Sequence, residues 1–209
     1  MITIKASWRR VILFVLALVP LALLTIGVMS SNAGADPAKT IVLNTGSWAI
    51  YFLFITLAVT PLRRWLNWNW LAPHRRMLGL FALFYAVLHV LAYLIFMLGL
   101  DISKLMAELV KRPYITAGAP AVAILIVLGV TSTKAMMRRL GKRWVALHRL
   151  IYLAVLLAWI HVLWQVRASY QDAVIYGVIT AILLGVRLWW WQTKDREKGQ
   201  RKRAEKIRP

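Results

Sequence analysis

The sequence contains no cysteine and few acidic residues. Without Cys in its 209 residues, the chain has no disulfide, no thiolate-bound zinc and no iron–sulfur cluster. Only seven Asp and Glu residues accompany 27 Lys and Arg. All seven acids lie in predicted loops or in the tail, so no intramembrane carboxylate indicates a proton or ion pathway. No GxGxxG, GxxxxGK[ST] or HExxH pattern occurs, and the chain therefore lacks the usual motifs for nucleotide binding and zinc peptidase chemistry.

Long apolar runs make up most of what is present. Hydrophobic residues account for 61% of the chain, and the mean hydropathy is +0.65, whereas a soluble domain has roughly 45–50% apolar residues. Runs of about 18 or more such residues can cross the roughly 30 Å hydrocarbon core as helices. The sequence therefore predicts an all-α integral membrane protein. The net charge of +20 is interpreted as orienting charge that meets anionic membrane lipids, and not as a nucleic-acid-binding surface.

Six apolar runs predict a six-transmembrane-helix bundle. The first run follows basic residues, as in a secretory signal, but its 19 residues exceed the roughly 7–15 of a signal core, and we expect it to be retained. Between the third and fourth runs, apolar residues at helical spacing predict a short amphipathic surface helix. We expect residues 1–192 to form the membrane domain and residues 193–209 to form a disordered, basic cytoplasmic tail. The predicted spans are residues 11–29, 46–62, 73–100, 114–133, 145–166 and 173–191.

Basic residues are unevenly distributed between the two sides of this bundle. The N-terminus, residues 63–76, residues 134–149 and the region from Arg187 onward carry 3, 4, 6 and 9 Lys and Arg residues, whereas the opposite side carries 5 in all. The positive-inside rule then predicts that both termini are cytoplasmic. The outer loops, which are the candidates for docking a partner, are residues 30–45, 101–113 and 167–172.

Two of the four histidines lie at matching depth inside predicted spans. His89 and His161 are each about 16 residues from the cytoplasmic end of their helix, or roughly 24 Å at 1.5 Å per residue. Two neutral imidazoles at one depth suit axial ligation of a haem iron, which favours electron transfer over oxygen chemistry. The alternative is that both are core histidines whose rings are hydrogen-bonded to backbone or hydroxyl groups.

The other two histidines lie near the cytoplasmic side. His148 precedes His161 by 13 residues, a rotation of about 140° on an ideal helix, so both face span 3 only if span 5 bends. His74 and His148 are candidates for a second, inner haem, but contact with lipid or phosphate at the interface is the favoured interpretation for His74. Nearby arginines are candidates to pair with haem propionates or a flavin phosphate, or serve only to orient the chain. They are Arg75, Arg76, Arg143 and Arg149.

Several stretches together resemble one known family. They are GADP after span 1, TPLRR at the end of span 2, RRMLGL before His89, KRPYITAG before span 4, and TSTKAMMRRLGKRWVALHRLIYL leading into span 5. This set resembles the MsrQ (YedZ) family of haem-binding membrane subunits, within the ferric-reductase-like transmembrane superfamily. The resemblance covers nearly the whole chain, and the last stretch is its most specific part.

The resemblance implies a multi-pass, b-type cytochrome of the bacterial inner membrane. Such a chain takes electrons from quinol and delivers them to MsrP, a periplasmic molybdenum-cofactor enzyme that reduces methionine sulfoxide in oxidised proteins; the chain is the electron-transfer subunit and not the catalytic one. The resemblance also implies one or two haems b and FMN, and it carries the functional histidines over to His89, His148 and His161, but not to His74. Two alternatives stay open: a stand-alone ferric or small-molecule reductase on the same scaffold, and a non-redox membrane scaffold subunit.

Overall fold

A computed structural model describes residues 2–166 and 169–207, and these residues form helices joined by short connections. A 3₁₀ helix, Asn69–His74, leads into α3, and a π-helical turn, Tyr93–Met97, follows α3. No strand occurs in the described ranges, which confirms the predicted all-α class there. The α-helices are α1 (Ile2–Met29), α2 (Pro37–Trp65), α3 (Arg75–Ala92), α4 (Ile102–Lys111), α5 (Pro113–Val130), α6 (Lys134–Leu140), α7 (Lys142–His148), α8 (Ile151–Gln165) and α9 (Gln171–Ile207).

Six helical segments are long and apolar enough to cross a membrane, as predicted. Span 3 combines the 3₁₀ helix, α3 and the π-helical turn, and span 5 combines α7 and α8. The orientation of the bundle stays a prediction. Spans 1 to 6 are Trp8–Met29, Pro37–Trp65, Asn69–Met97, Pro113–Val130, Lys142–Gln165 and Gln171–Thr193.

Capping residues extend the helices beyond the apolar runs that predicted them. Asp36 accepts a hydrogen bond from the backbone N–H of Lys39 at 2.9 Å, and Pro37 occupies the first helical position, where its missing N–H costs nothing. Span 2 therefore begins nine residues before its predicted start at 46, and the predicted outer loop 30–45 is helical from Pro37 onward. Asp101 caps α4 in the same way, with Ser103 N–H donating at 2.9 Å. The short helix predicted between spans 3 and 4 is present as α4.

The last helix continues past the apolar part of span 6. Helix α9 runs to Ile207, into the stretch for which the sequence predicts a disordered tail. That stretch is rich in Lys, Arg, Glu and Gln, which are good helix formers. Adding residues to a helix that already exists avoids the cost of a new nucleus. Residues 208–209 of the predicted tail, and residues 167–168 of the last outer loop, lie outside the described residues.

The core of the bundle lies where spans 2, 3, 5 and 6 meet. Its largest fully buried side chains are Leu53, Leu57, Tyr85 and Val155. Many large apolar side chains on the outer helix faces are exposed, as expected for surfaces that contact lipid tails. Span 1 packs on the outside of this core, where the Tyr85 hydroxyl donates to the Ala17 carbonyl at 2.7 Å.

Arg187 supplies a hydrogen-bond donor that span 2 lacks at Pro61. Since Pro61 has no N–H, the carbonyl of Leu57 one turn earlier lacks its intrahelical donor. Arg187 Nη2 donates to that carbonyl at 2.7 Å, and its Nη1 donates to the Tyr152 hydroxyl at 2.7 Å. One guanidinium thereby joins spans 2, 5 and 6.

Candidate functional site

The structure brings His89 and His161 together. His89 lies in the last turn of α3 and His161 near the end of α8, and the centroids of their rings are 6.1 Å apart with an angle of 84° between the planes. Equal depth in two neighbouring spans predicts such a meeting. The pair lies close to the first turns of α2 and α5, and so at the end of the bundle that carries few basic residues.

Each ring is held by a backbone carbonyl of the adjacent helix. His89 Nδ1 donates to the Val42 carbonyl at 2.8 Å, and His161 Nδ1 donates to the Tyr114 carbonyl at 2.6 Å. A carbonyl only accepts, so the proton is on Nδ1 and the lone pair of the neutral ring is on Nε2. No hydrogen bond joins either Nε2 to another residue that the structure describes. Both rings are thus arranged to offer Nε2 as a ligand.

The spacing of the two rings fits a shared metal. A metal–imidazole bond is about 2 Å long, so two imidazoles on opposite sides of one ion have centroids about 6 Å apart. Among the described residues, no three His, Cys, Asp or Glu side chains come together, so side chains alone do not complete the coordination of a bare ion here. A haem iron needs only two axial ligands, because the porphyrin supplies the other four nitrogens. The donor set therefore fits a haem.

A polar network lies beside the site. Tyr114, whose carbonyl holds His161, accepts through its hydroxyl a hydrogen bond from Arg112 Nη1 at 2.9 Å. Arg112 Nε also pairs with the carboxylate of Glu108 in α4, to which the Tyr93 hydroxyl donates at 3.2 Å. The hydrogen bond to Tyr114 raises the pKa of Arg112 above its ordinary value, so this guanidinium stays charged. The network fixes α4 against the start of span 4.

His74 and His148 do not form an equivalent pair. Each uses Nδ1 on its own helix, His74 toward the Trp70 carbonyl at 2.9 Å and His148 toward the Trp144 carbonyl at 3.2 Å. The His148 ring stacks on Trp144 with centroids 3.9 Å apart, and no ring contact joins it to His74 in the part of the chain that the structure describes. The Nε2 atom of His148 is buried and has no hydrogen-bond partner among the described residues.

The four predicted arginines differ in their surroundings. Arg75 is half-buried at the start of α3, near enough to His148 and Arg187 for its charge to act on both. The other three, Arg76, Arg143 and Arg149, are exposed.

Sequence reasoning missed the backbone partners of the two site histidines. In both cases 47 residues separate the ring from the carbonyl that holds it. The helix pair of spans 2 and 3 and the pair of spans 4 and 5 therefore repeat one arrangement. That common spacing is the signal in the sequence from which Val42 and Tyr114 could have been found.

Comparison with known proteins identifies relatives over most of the chain. The family model described as ferric reductase like transmembrane component matches residues 45–159, a range that includes His89 and His148. Its curated relatives include proteins named protein-methionine-sulfoxide reductase heme-binding subunit MsrQ. The relative from Herminiimonas arsenicoxydans is 45% identical over 88% of this chain and 86% of its own length. The relative from Ralstonia nicotianae is 42% identical over 87% of this chain and 85% of its own length. The relative from Azospira oryzae is 41% identical over 88% of this chain and 80% of its own length. No solved structure matches the chain.

Proposed function

The chain belongs to the MsrQ family of ferric-reductase-like membrane proteins, and on that premise we propose that it is a b-type cytochrome serving a protein-methionine-sulfoxide reductase. The observation that carries the proposal is the His89–His161 pair, with each Nδ1 bound to a carbonyl and each Nε2 without a protein partner. A purely structural role accounts for the Nδ1 bonds. It gives no role to the Nε2 atoms of the two half-buried rings, which no protein group binds and which can therefore serve as ligands.

The residues of the site have distinct tasks in this proposal. His89 and His161 supply one Nε2 lone pair each, and the carbonyls of Val42 and Tyr114 fix the tautomer and raise the basicity of the ligands. Held by these two imidazoles, a haem would supply one-electron transfer. The surrounding spans leave both rings only half-exposed. The chain thus acts as the electron-transfer subunit, and methionine sulfoxide is reduced by a separate catalytic subunit.

We assign the electron source and the acceptor to opposite ends of the bundle. The His89–His161 site lies at the end with few Lys and Arg residues, which the positive-inside rule assigns to the periplasm. A periplasmic MsrP-like enzyme with a molybdenum cofactor is the proposed acceptor. Quinol oxidation and FMN binding are assigned to the basic end, where Arg75 and His148 lie. In a bacterium this arrangement belongs in the inner membrane.

His148 is the candidate ligand for a second haem at the basic end. Its ring is fixed by Trp144, and its buried Nε2 has no partner among the described residues. His74 does not lie opposite His148 in the structure. His148 is therefore the one histidine that we propose as a ligand of a second haem.

An absorption spectrum of the purified protein tests the proposal. The oxidised and dithionite-reduced spectra are expected to be those of a low-spin b-type cytochrome. His89→Ala and His161→Ala should each remove the outer haem, and His148→Ala should lower the haem per chain from two to one if a second haem is present. Leu91→Ala is the matched control, because Leu91 faces outward from span 3 with 45% of its surface exposed. The proposal is wrong if the protein stays colourless after expression with ample haem, or if both outer variants keep full haem and full electron delivery.

A second candidate function follows from the family description. On the same scaffold, a ferric-reductase-like component would reduce iron chelates directly. Reduction of ferric citrate by the dithionite-reduced chain, at a rate unaffected by a molybdenum-cofactor partner, would favour this alternative. We expect rapid reoxidation only when that partner and methionine sulfoxide are both present.

A further inference from the structure

Both site histidines lie against a glycine of the neighbouring helix. A β-carbon at position 46 would be 2.9 Å from His89 Nδ1 and 3.1 Å from its Cε1. At position 118 it would be 2.6 Å from His161 Nδ1 and 3.0 Å from its Cε1. These separations are shorter than the roughly 3.5–4.0 Å of a favourable nonbonded contact between carbon atoms. Any side chain larger than hydrogen at either position therefore displaces the ring.

The position of each glycine explains how a ring reaches a helical carbonyl at all. Gly46 follows Val42 by four residues, and Gly118 follows Tyr114 by four. In an α-helix the Cα–Cβ bond tilts toward the N-terminus, and residues i and i+4 share one face. The β-carbon of residue i+4 therefore leans over the carbonyl of residue i. Glycine at i+4 leaves that oxygen open to a donor from another helix.

The same stereochemistry occurs once more with a ring that is not a metal ligand. Trp159 Nε1 donates to the Ala173 carbonyl at 2.9 Å, and a β-carbon at Gly177, four residues later, would lie 2.8 Å from that nitrogen. The arrangement is thus a general way to bind a ring N–H on a helix. Spans 2 and 4 use it for imidazoles, with 43 residues from glycine to histidine in both pairs.

We infer that Gly46 and Gly118 are positioning residues that fix the ring orientation and the Nδ1–H tautomer of His89 and His161. The inference rests on the proposed function for its consequence, which is that both Nε2 atoms are presented to one haem. Position 118 is the tighter of the two, since its β-carbon would approach Nδ1 0.3 Å closer than at position 46. Alanine at 118 should therefore have the larger effect.

The test compares four glycine-to-alanine variants of the full-length protein in detergent. Gly46→Ala and Gly118→Ala should lower haem affinity by about 10- to 100-fold, as is typical when the group that orients a metal ligand is lost. They should also shift the midpoint potential of the haem that remains. Gly177→Ala crowds Trp159 just as closely, and we expect it to reduce thermal stability while haem content and potential stay unchanged. Gly185→Ala, where no atom beyond its own stretch of helix lies within 4 Å of the new β-carbon, should change none of the three.

A second measurement separates this inference from the proposed function. In the haem-free protein labelled with ¹⁵N-histidine, His89 and His161 should both give the Nδ1–H tautomer by NMR. Gly46→Ala should change the signal of His89 alone, and Gly118→Ala that of His161 alone. If the wild-type protein binds no haem at all, the proposed function is refuted. The histidine tautomers of the wild type and the two variants would still test whether the glycines position the rings. Unchanged tautomers, haem affinity and potential in both variants would overturn the inference. If Gly118→Ala does not accumulate, Gly46→Ala decides the matter by the same criteria.

Discussion

Replacing Arg187 by Met should lower the free energy of unfolding, because Arg187 joins three membrane spans. Its guanidinium donates at 2.7 Å both to the Leu57 carbonyl in span 2 and to the Tyr152 hydroxyl in span 5. Met has a similar length but no donor, so packing is largely kept while both hydrogen bonds are lost. The Leu57 carbonyl is then left without a partner, because Pro61 cannot supply the usual N–H.

Two opposing terms set the size of the effect. A hydrogen bond from a charged donor contributes about 1.5–3 kcal/mol, so the loss of two costs about 3–6 kcal/mol. Removing a cation from the membrane domain returns up to about 2.5–3.5 kcal/mol at the bilayer centre and less toward its edge. We expect a net destabilisation of about 1–3 kcal/mol.

Pro61→Ala tests the reason for this effect. Alanine restores an N–H at position 61, which can bond the Leu57 carbonyl within the helix. The cost of Arg187→Met should then fall by the penalty for an unpaired carbonyl, which is about 1–3 kcal/mol. The coupling is read from a double-mutant cycle of the two substitutions.

The assay is reversible SDS denaturation in mixed micelles, followed by tryptophan fluorescence. Arg63→Met is the control, because Arg63 is an exposed arginine on span 2, and its effect should stay within about 0.5 kcal/mol. Our reasoning is refuted if Arg187→Met is as mild as this control, or if it costs the same with Pro61 and with Ala at position 61.

Three further predictions concern a helix cap, a tyrosine pair and the membrane topology. The Ser103 hydroxyl lowers the pKa of the Asp101 carboxyl that caps α4, so the cap is complete above the ordinary carboxyl pKa of about 4 and is lost as the pH falls through the lowered value. The protection factors for hydrogen exchange in α4, which are corrected for the intrinsic pH dependence of exchange, should fall at low pH in wild type and stay constant in Asp101→Asn. The hydroxyls of Tyr51 and Tyr176 are 2.9 Å apart, and a double-mutant cycle to Phe should give a coupling of about 0.6 kcal/mol, against zero for an unimportant contact. Because the chain has no Cys, Asn32→Cys and Asn69→Cys each provide a single thiol. An impermeant maleimide should label position 32 in cells with a permeable outer membrane and position 69 only after lysis. The reverse result would show that the predicted orientation is wrong.

The six spans could be predicted because hydrocarbon thickness sets a length that apolar runs must meet. The ends of the helices could not be predicted from the same signal, since polar residues continue a helix wherever a cap or an existing helix supports them. Asp36 therefore begins span 2 within a stretch that reads as loop. Equal depth in neighbouring spans was enough to predict that His89 and His161 meet.

The residues that hold the two histidines were missed because they lie far from the histidines in the sequence. Nothing local to Val42 or Gly46 indicates a histidine 47 or 43 residues later. Only the repetition of that spacing at Tyr114 and Gly118 does so. Arg187 is a similar case. In the sequence it looks like one more basic residue that orients the chain. Its structural role is to donate to the Leu57 carbonyl, which lacks an intrahelical donor because Pro61, on another span, has no N–H.

Hydrogen bonds account for several of the polar side chains in this bundle. The Tyr85 hydroxyl, the Trp159 indole and two nitrogens of Arg187 each reach a protein acceptor, which gives these groups a structural role, although Arg187 Nε is buried without a partner among the described residues. In His89 and His161 the fold satisfies Nδ1 and leaves Nε2, the atom that binds a metal in this tautomer. A core designed only for stability has no reason to bring two such half-satisfied rings to 6.1 Å, because apolar side chains of equal volume would avoid the penalty. The remaining requirement of both rings is met by one ligand between them, and this is why we assign the function of the chain to this pair.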